Sequence, residues 1–103
     1  MAYEKVNARE ARQLAADGAV LIDVRDPAMF ARGHIEGAVS LPLYALDDDA
    51  AARVIGSRDR AVVVYCQAGV LSAMAAQALV GLGYEQVYDL GGVGSWPDAL
   101  VTE

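Results

Sequence analysis

The sequence predicts an α/β fold in which a largely parallel sheet carries helices on both faces. Runs at residues 19–24 and 61–65 are apolar at odd and even positions and rich in β-branched residues, as in strands buried on both faces. These runs alternate with segments of helical periodicity, a pattern typical of parallel sheets with crossover helices. At 103 residues, one hydrophobic core is expected, so residues 1–103 are predicted to form a single domain.

The first half of the chain is predicted to begin with a helix. Asn7 and Glu10 have the spacing of a capping box, and apolar residues recur at helical spacing from there up to Gly18. Four further elements are then predicted: a strand at 19–24, a short helix from Pro27, a short strand at 38–41 and a helix at 43–55. Gly56 is expected to end the last of these helices.

The second half contains the clearest strand, residues 61–65, which runs directly into Cys66. A glycine-containing segment then extends to Ser72. Three further elements are predicted after it: a helix at 73–82, a short strand at 86–88 and a weak terminal helix at 93–100. Because sites in parallel sheets form at the carboxyl ends of strands, Cys66 lies where a functional site is expected.

Composition and charge argue against several function classes. The formal net charge is −6 and no Lys/Arg cluster interrupts it, so nucleic acid and anionic lipid are not expected partners. The first residues lack the apolar core of a secretory signal, and the apolar runs are too short to span a bilayer, which predicts a cytoplasmic protein with no membrane partner. One cysteine and one histidine cannot close a metal site, so neither a metal nor another cofactor is expected.

Cys66, the single cysteine, is the candidate catalytic residue. A tight turn followed by a helix directs backbone N–H groups and the positive helix end towards one point, which favours a thiolate and can cradle an attached anion. The candidate substrate-binding residues are the next six in the chain: Gln67, Ala68, Gly69, Val70, Leu71 and Ser72. A free cysteine is often only a small buried hydrophobe, but its position at a strand end favours a nucleophile.

Two groups of residues resemble the signatures of rhodanese domains. The amino-terminal signature is similar to residues 21–25, Phe30, 33–38 and 41–42. The active-site strand and carboxy-terminal signature are similar to residues 62–66, 83–84, Val87, 90–92 and Trp96. The resemblance implies a rhodanese-like three-layer domain, sulfurtransferase chemistry, and a Cys66 that takes up a sulfane sulfur as a persulfide.

The loop after Cys66 refines the activity that the resemblance implies. Cys66 to Leu71 matches the six-residue loop of sulfur-transferring members, whereas related phosphatases use a longer loop that ends in an arginine. Ser72 stands at the place of that arginine, so phosphatase activity is not expected. Many members that turn over thiosulfate carry a basic side chain in this loop, and here none lies between Cys66 and Ser72. We therefore expect poor thiosulfate turnover.

The same loop also indicates the classes of donor and acceptor. Val70 and Leu71 make its mouth apolar, which suits a persulfide on a partner protein, or another donor less charged than thiosulfate. Because no second cysteine is present, the sulfur must pass in a ping-pong reaction to an external acceptor such as cyanide, glutathione or a partner's thiol. Two other functions remain open: a protein-interaction module in which Cys66 is incidental, and redox sensing through oxidation of Cys66.

Two further polar residues are interpreted as parts of the scaffold. His34 lies in a glycine-flanked turn that the resemblance makes structural rather than catalytic. Arg25 ends a strand near the expected site, where a structural ion pair or hydrogen bonds are favoured over steering of an anion. Many relatives place an acidic residue where Met29 stands, so Asp26 and Glu36 are the expected partners of Arg25.

Overall fold

In a computed structural model, which describes residues 2–102, five parallel strands form one sheet in the order β1-β5-β4-β2-β3. The strands are β1 (Tyr3–Lys5), β2 (Val20–Asp23), β3 (Val39–Ser40), β4 (Val62–Cys66) and β5 (Val87–Gly92). The α-helices are α1 (Ala8–Ala16), α2 (Pro27–Arg32), α3 (Asp48–Ile55) and α4 (Val70–Gly81). Short 3-10 turns occur at Leu43–Ala45 and Val93–Ser95.

The central strand β4 is buried along its whole length and separates two apolar clusters. Val62, Val64 and Cys66 face one cluster, which contains buried residues of α3 and α4. Val63 and Tyr65 face the other cluster, which contains Ala11 of α1. This alternation explains why the strand is apolar at every position, and it confirms the expected arrangement of a sheet between two helical layers.

Most of the predicted elements are present. The capping box of α1 is formed, since the Asn7 side chain accepts from the Glu10 amide and the Glu10 side chain accepts from the Asn7 amide. The helix predicted over 43–55 is two elements, because the Asp47 side chain accepts from the Ala50 amide and starts α3 only there. That helix ends at Gly56, as predicted.

Other predictions of secondary structure were also wrong or incomplete. Helix α4 begins at Val70 rather than at residue 73, because Gly69 turns the chain with a φ of 94° immediately before it. The terminal helix at 93–100 is absent beyond its first three residues, and Val101 instead pairs with His34 in an isolated bridge. The edge strand β1 was not predicted, since it is only three residues long and lacks an apolar run.

Candidate active site

Cys66 ends the central strand and is almost completely buried, with 1% of its surface exposed. Its Sγ accepts hydrogen bonds from two backbone amides, that of Gly69 at 2.9 Å and that of Ser72 at 3.3 Å. Gly69 adopts a φ of 94°, which glycine reaches without the steric penalty of a Cβ. This backbone conformation brings the loop back over the sulfur.

The sulfur also serves as the cap of helix α4. Gly69 is the N-cap residue and offers no side-chain acceptor, so an amide of the first turn must find another partner. Ser72 is the third residue of the helix, and its amide finds that partner in Cys66 Sγ. An anionic sulfur at this point is stabilised by the positive end of a twelve-residue helix.

Two glycines at the end of β5 form the floor beneath the loop. In the sheet Tyr65 pairs with Gly91 and Cys66 with Gly92. A Cβ built on Gly92 would lie 2.9 Å from the carbonyl oxygen of Gln67, so the absence of a side chain there allows the loop to rest directly on the strand. The sequence suggests a loop at these two glycines, and that expectation was wrong, because both belong to β5. The close approach depends on strand pairing, which the local sequence does not show.

The six predicted binding residues divide into two groups. Gly69 and Ser72 reach the sulfur through their amides, and the Ser72 hydroxyl also donates to the Gly69 carbonyl at 3.1 Å. The other four form an exposed, uncharged rim: Gln67, Ala68, Val70 and Leu71. The apolar surface continues along α4 to Met74, which is also exposed.

Arg25 is held in a buried ion pair with Asp23, and both side chains are almost fully inaccessible. One guanidinium nitrogen, Nη2, lies 2.7 Å from Asp23 Oδ2 and also donates to the Gly33 carbonyl. The hydrogen bond to Asp23 raises the pKa of Arg25. The other terminal nitrogen, Nη1, donates to Gln67 Oε1 at 3.2 Å. The guanidinium therefore anchors the first residue of the loop and is itself already engaged.

The expected partners of Arg25 were wrong. Asp26 instead caps α2, where its side chain accepts from the Ala28 amide. The signal that identifies Asp23 as the partner is local: it ends β2, and its Oδ1 accepts from the amide of Arg25, two residues on, in a turn that aspartate favours.

His34 and Tyr65 belong to the scaffold on the opposite face of the sheet from the sulfur. The His34 ring stacks on Phe30 with 3.7 Å between ring centroids, and its Nδ1 lies 2.8 Å from the Phe30 carbonyl oxygen. The Tyr65 hydroxyl accepts from the Ile35 amide at 3.1 Å. Burial raises the pKa of Tyr65 above the ordinary value of a phenol. The structural interpretation of His34 agrees with these contacts.

Within residues 2–102, no group of three or more His, Cys, Asp or Glu side chains is arranged to hold a metal ion. No helix in the same part of the chain is long and apolar enough to cross a membrane.

Comparison with known proteins identifies the family. Residues 7–99 match the family model of the rhodanese-like domain. The chain belongs to the rhodanese-like family. A thiosulfate sulfurtransferase GlpE from Ectopseudomonas mendocina (strain ymp) is 36% identical over 102 residues, covering 98% of this chain and 91% of the relative. The same-named protein of Stutzerimonas stutzeri (strain A1501) is 37% identical over 90 residues, covering 87% of this chain and 80% of the relative.

Solved rhodanese structures share the fold of this rhodanese-like domain. A rhodanese with anions from E. coli is 30% identical with a TM-score of 0.77, covering 84% of this chain and all of that one. A rhodanese-related protein from Thermoplasma volcanium is 28% identical with a TM-score of 0.80, covering 98% of this chain and all of that one. The family and its named relatives make this chain an enzyme of the sulfurtransferase class.

Proposed function

We propose that this rhodanese-like domain takes a sulfane sulfur onto Cys66 as a persulfide and passes it to an external thiol or to a cyanide-like acceptor. The observation that carries the proposal is the pair of backbone amides, of Gly69 and Ser72, that donate to Sγ at the start of α4. Fixed N–H donors around a buried sulfur stabilise its anion without any reorganisation during the reaction. The names of the relatives support the same class of chemistry.

Loading is a nucleophilic displacement at the donor's outer sulfur. The Cys66 thiolate forms a new S–S bond to that sulfur, and the donor's own bond to it breaks. The leaving group departs with the electron pair: sulfite from thiosulfate, or a thiolate from a persulfide. The product carries its negative charge on the outer sulfur of the persulfide, which is bonded to the Sγ that the amides of Gly69 and Ser72 contact.

In the discharge step, Cys66 is the leaving group rather than the nucleophile. An acceptor thiolate or cyanide attacks the terminal sulfur, the Cys66 S–S bond breaks, and the Cys66 thiolate is regenerated with its electron pair. The acceptor must be external because the chain holds no second cysteine. Loading and discharge therefore occur in separate half-reactions.

The rim of the site favours donors that carry little charge. The residues from Gln67 to Leu71 bring no cation to it, and the nearby Arg25 guanidinium is engaged by Asp23 and Gly33. A dianion such as thiosulfate thus lacks charge-assisted contacts worth about 1.5–3 kcal/mol each. We infer that persulfides, on small thiols or on a partner protein, are better donors than thiosulfate.

Steady-state transfer to cyanide or glutathione tests the reaction. Rates measured against donor at several acceptor concentrations should give the parallel double-reciprocal lines of a ping-pong reaction, and Cys66→Ser should abolish transfer while it leaves the thermal unfolding midpoint near native. Intersecting lines, or transfer that survives Cys66→Ser, would contradict the persulfide route. A folded native chain that transfers no sulfur from any donor would favour the interaction module.

A charge added to the rim tests the donor preference. Leu71→Arg should raise kcat/KM for thiosulfate about tenfold and change that for a glutathione persulfide much less, because only the dianion gains an ion pair. Met74→Arg places the same charge further along α4 and should raise thiosulfate turnover less. Native turnover of thiosulfate that exceeds turnover of the persulfide would refute the preference.

A further inference from the structure

Asp89 is a buried carboxylate that the proposed reaction does not use. It lies in β5 with none of its surface exposed. Its Oδ1 accepts from the Gly91 amide at 2.8 Å, whereas its Oδ2 has no hydrogen-bond partner within the described part of the chain. The exposed Lys5 forms a long ion pair with it, with Nζ 3.8 Å from Oδ2. Burial of an incompletely paired carboxylate is costly, so its position requires a reason.

The hydrogen bond to Gly91 spans an irregularity in the sheet. Val64 pairs with Asp89, but the next residue, Tyr65, pairs with Gly91, so β5 contains one extra residue at this point. Such a bulge bends the strand and redirects the residues after it. Gly91 reaches a φ of 88° there, and the Asp89 carboxylate holds its amide.

The bulge supports the segment that contacts the sulfur. A Cβ built on Gly69 would lie 3.7 Å from the Gly92 nitrogen and 3.8 Å from the Gly91 Cα, so Gly69 packs directly on these two glycines. Gly69 supplies the shorter of the two hydrogen bonds to Cys66 Sγ. A shift of the backbone at Gly91 and Gly92 therefore changes the position of the Gly69 amide.

We propose that Asp89 is a positioning residue for the sulfur site. Its hydrogen bond to Gly91 fixes the bulge, the bulge fixes Gly69, and Gly69 aims an N–H at Cys66 Sγ. The hydrogen-bond geometry performs this role, and the charge of Asp89 does not. The effect on sulfur transfer rests on the proposed function, whereas the effect on the reactivity of the Cys66 thiolate does not.

Two substitutions separate geometry from charge. Asp89→Asn keeps an oxygen acceptor for Gly91 and removes the charge, while Asp89→Glu keeps the charge and displaces the acceptor by one methylene. The rate of Cys66 alkylation by iodoacetamide at neutral pH should stay within about threefold of native in Asp89→Asn. The same rate should fall about tenfold in Asp89→Glu, as expected for one misplaced hydrogen bond to an anion.

Asp89→Ala and Val87→Ala complete the comparison. The first removes the acceptor and should alkylate as slowly as Asp89→Glu. The second weakens the core of the same strand without contacting Gly91, and should alkylate at nearly the native rate. If Asp89→Ala does not fold, the Asn and Glu variants still decide the question.

Sulfur loading should follow the same order as alkylation. Equal alkylation rates in Asp89→Asn and Asp89→Glu would overturn the assignment, as would a loss in Val87→Ala of the same size. A chain that alkylates in the expected order but never loads sulfur would contradict the proposed function and support the role of Asp89.

Discussion

A methyl group added to Gly92 is the sharpest available perturbation of the sulfur site. Gly92→Ala places Cβ 2.9 Å from the Gln67 carbonyl oxygen and 3.5 Å from the Ala68 Cα and carbonyl carbon. Non-bonded carbon contacts are relaxed at about 3.5 Å or more, so the loop must move by roughly half an ångström. The opposing atoms belong to the backbone and cannot rotate away as a flexible side chain would.

The size of the effect depends on the contacts that this movement disturbs. Overpacking of a close-packed site costs about 1–3 kcal/mol, some of it in global stability and the rest in displacement of the loop. Removal of one donor from a preformed anion site lowers kcat by about 10²–10³. Because the amide of Gly69 is displaced rather than removed, we expect sulfur transfer to fall at least about tenfold.

Alkylation of Cys66 and steady-state sulfur transfer are the two assays, both performed well below the thermal unfolding midpoint. Gly94→Ala is the matched control, since a Cβ on this exposed glycine meets nothing within 4 Å. It should retain native rates in both assays. A Gly92→Ala variant within twofold of Gly94→Ala would refute the close support of the loop by β5.

Three further predictions concern backbone strain, the buried ion pair and pH. Gly69→Ala forces a Cβ into a φ of 94° and should lower the free energy of unfolding by about 1–2 kcal/mol in urea denaturation, together with slower alkylation of the cysteine. Arg25→Gln leaves Asp23 buried without its cation and should lower the same free energy by about 3–5 kcal/mol; a loss below about 1 kcal/mol would contradict the buried pair. Burial raises the pKa of Tyr65 above 10.0, so the unfolded chain loses this proton first as pH rises. The free energy of unfolding should therefore fall above pH of about 10, and an unchanged slope in Tyr65→Phe would exclude this residue as the cause.

The central strand and its cysteine were predictable because their signal is local. Val62 to Val64 are apolar on both faces, which only a strand between two layers requires, and Cys66 follows this run directly. The start of α4 was misplaced by three residues for an equally local reason. A glycine in the left-handed region lets a helix begin at the next residue. The residues around Gly69 do not indicate that it adopts this conformation.

The support of the site could not be predicted from the sequence. Gly91, Gly92 and Asp89 act on the loop through the pairing of β5 with β4, and that register shifts by one residue at the bulge. A glycine inside a strand indicates that a bulge is possible, but it does not say which residues of the neighbouring strand it will face. The ion pair of Asp23 with Arg25 differs, because Arg25 lies only two residues beyond the end of β2, and a local turn in which Asp23 Oδ1 accepts from the Arg25 amide joins them.

The central claim is that Cys66 carries the transferred sulfur. The most direct measurement is the intact mass of the native chain and of Cys66→Ser after incubation with a glutathione persulfide and, separately, with thiosulfate. The native chain should gain the mass of one sulfur atom, more completely from the persulfide, and should lose it again when cyanide is added. Cys66→Ser should gain nothing. A sulfur adduct of equal yield on both chains, or none on the native chain from either donor, would contradict the account.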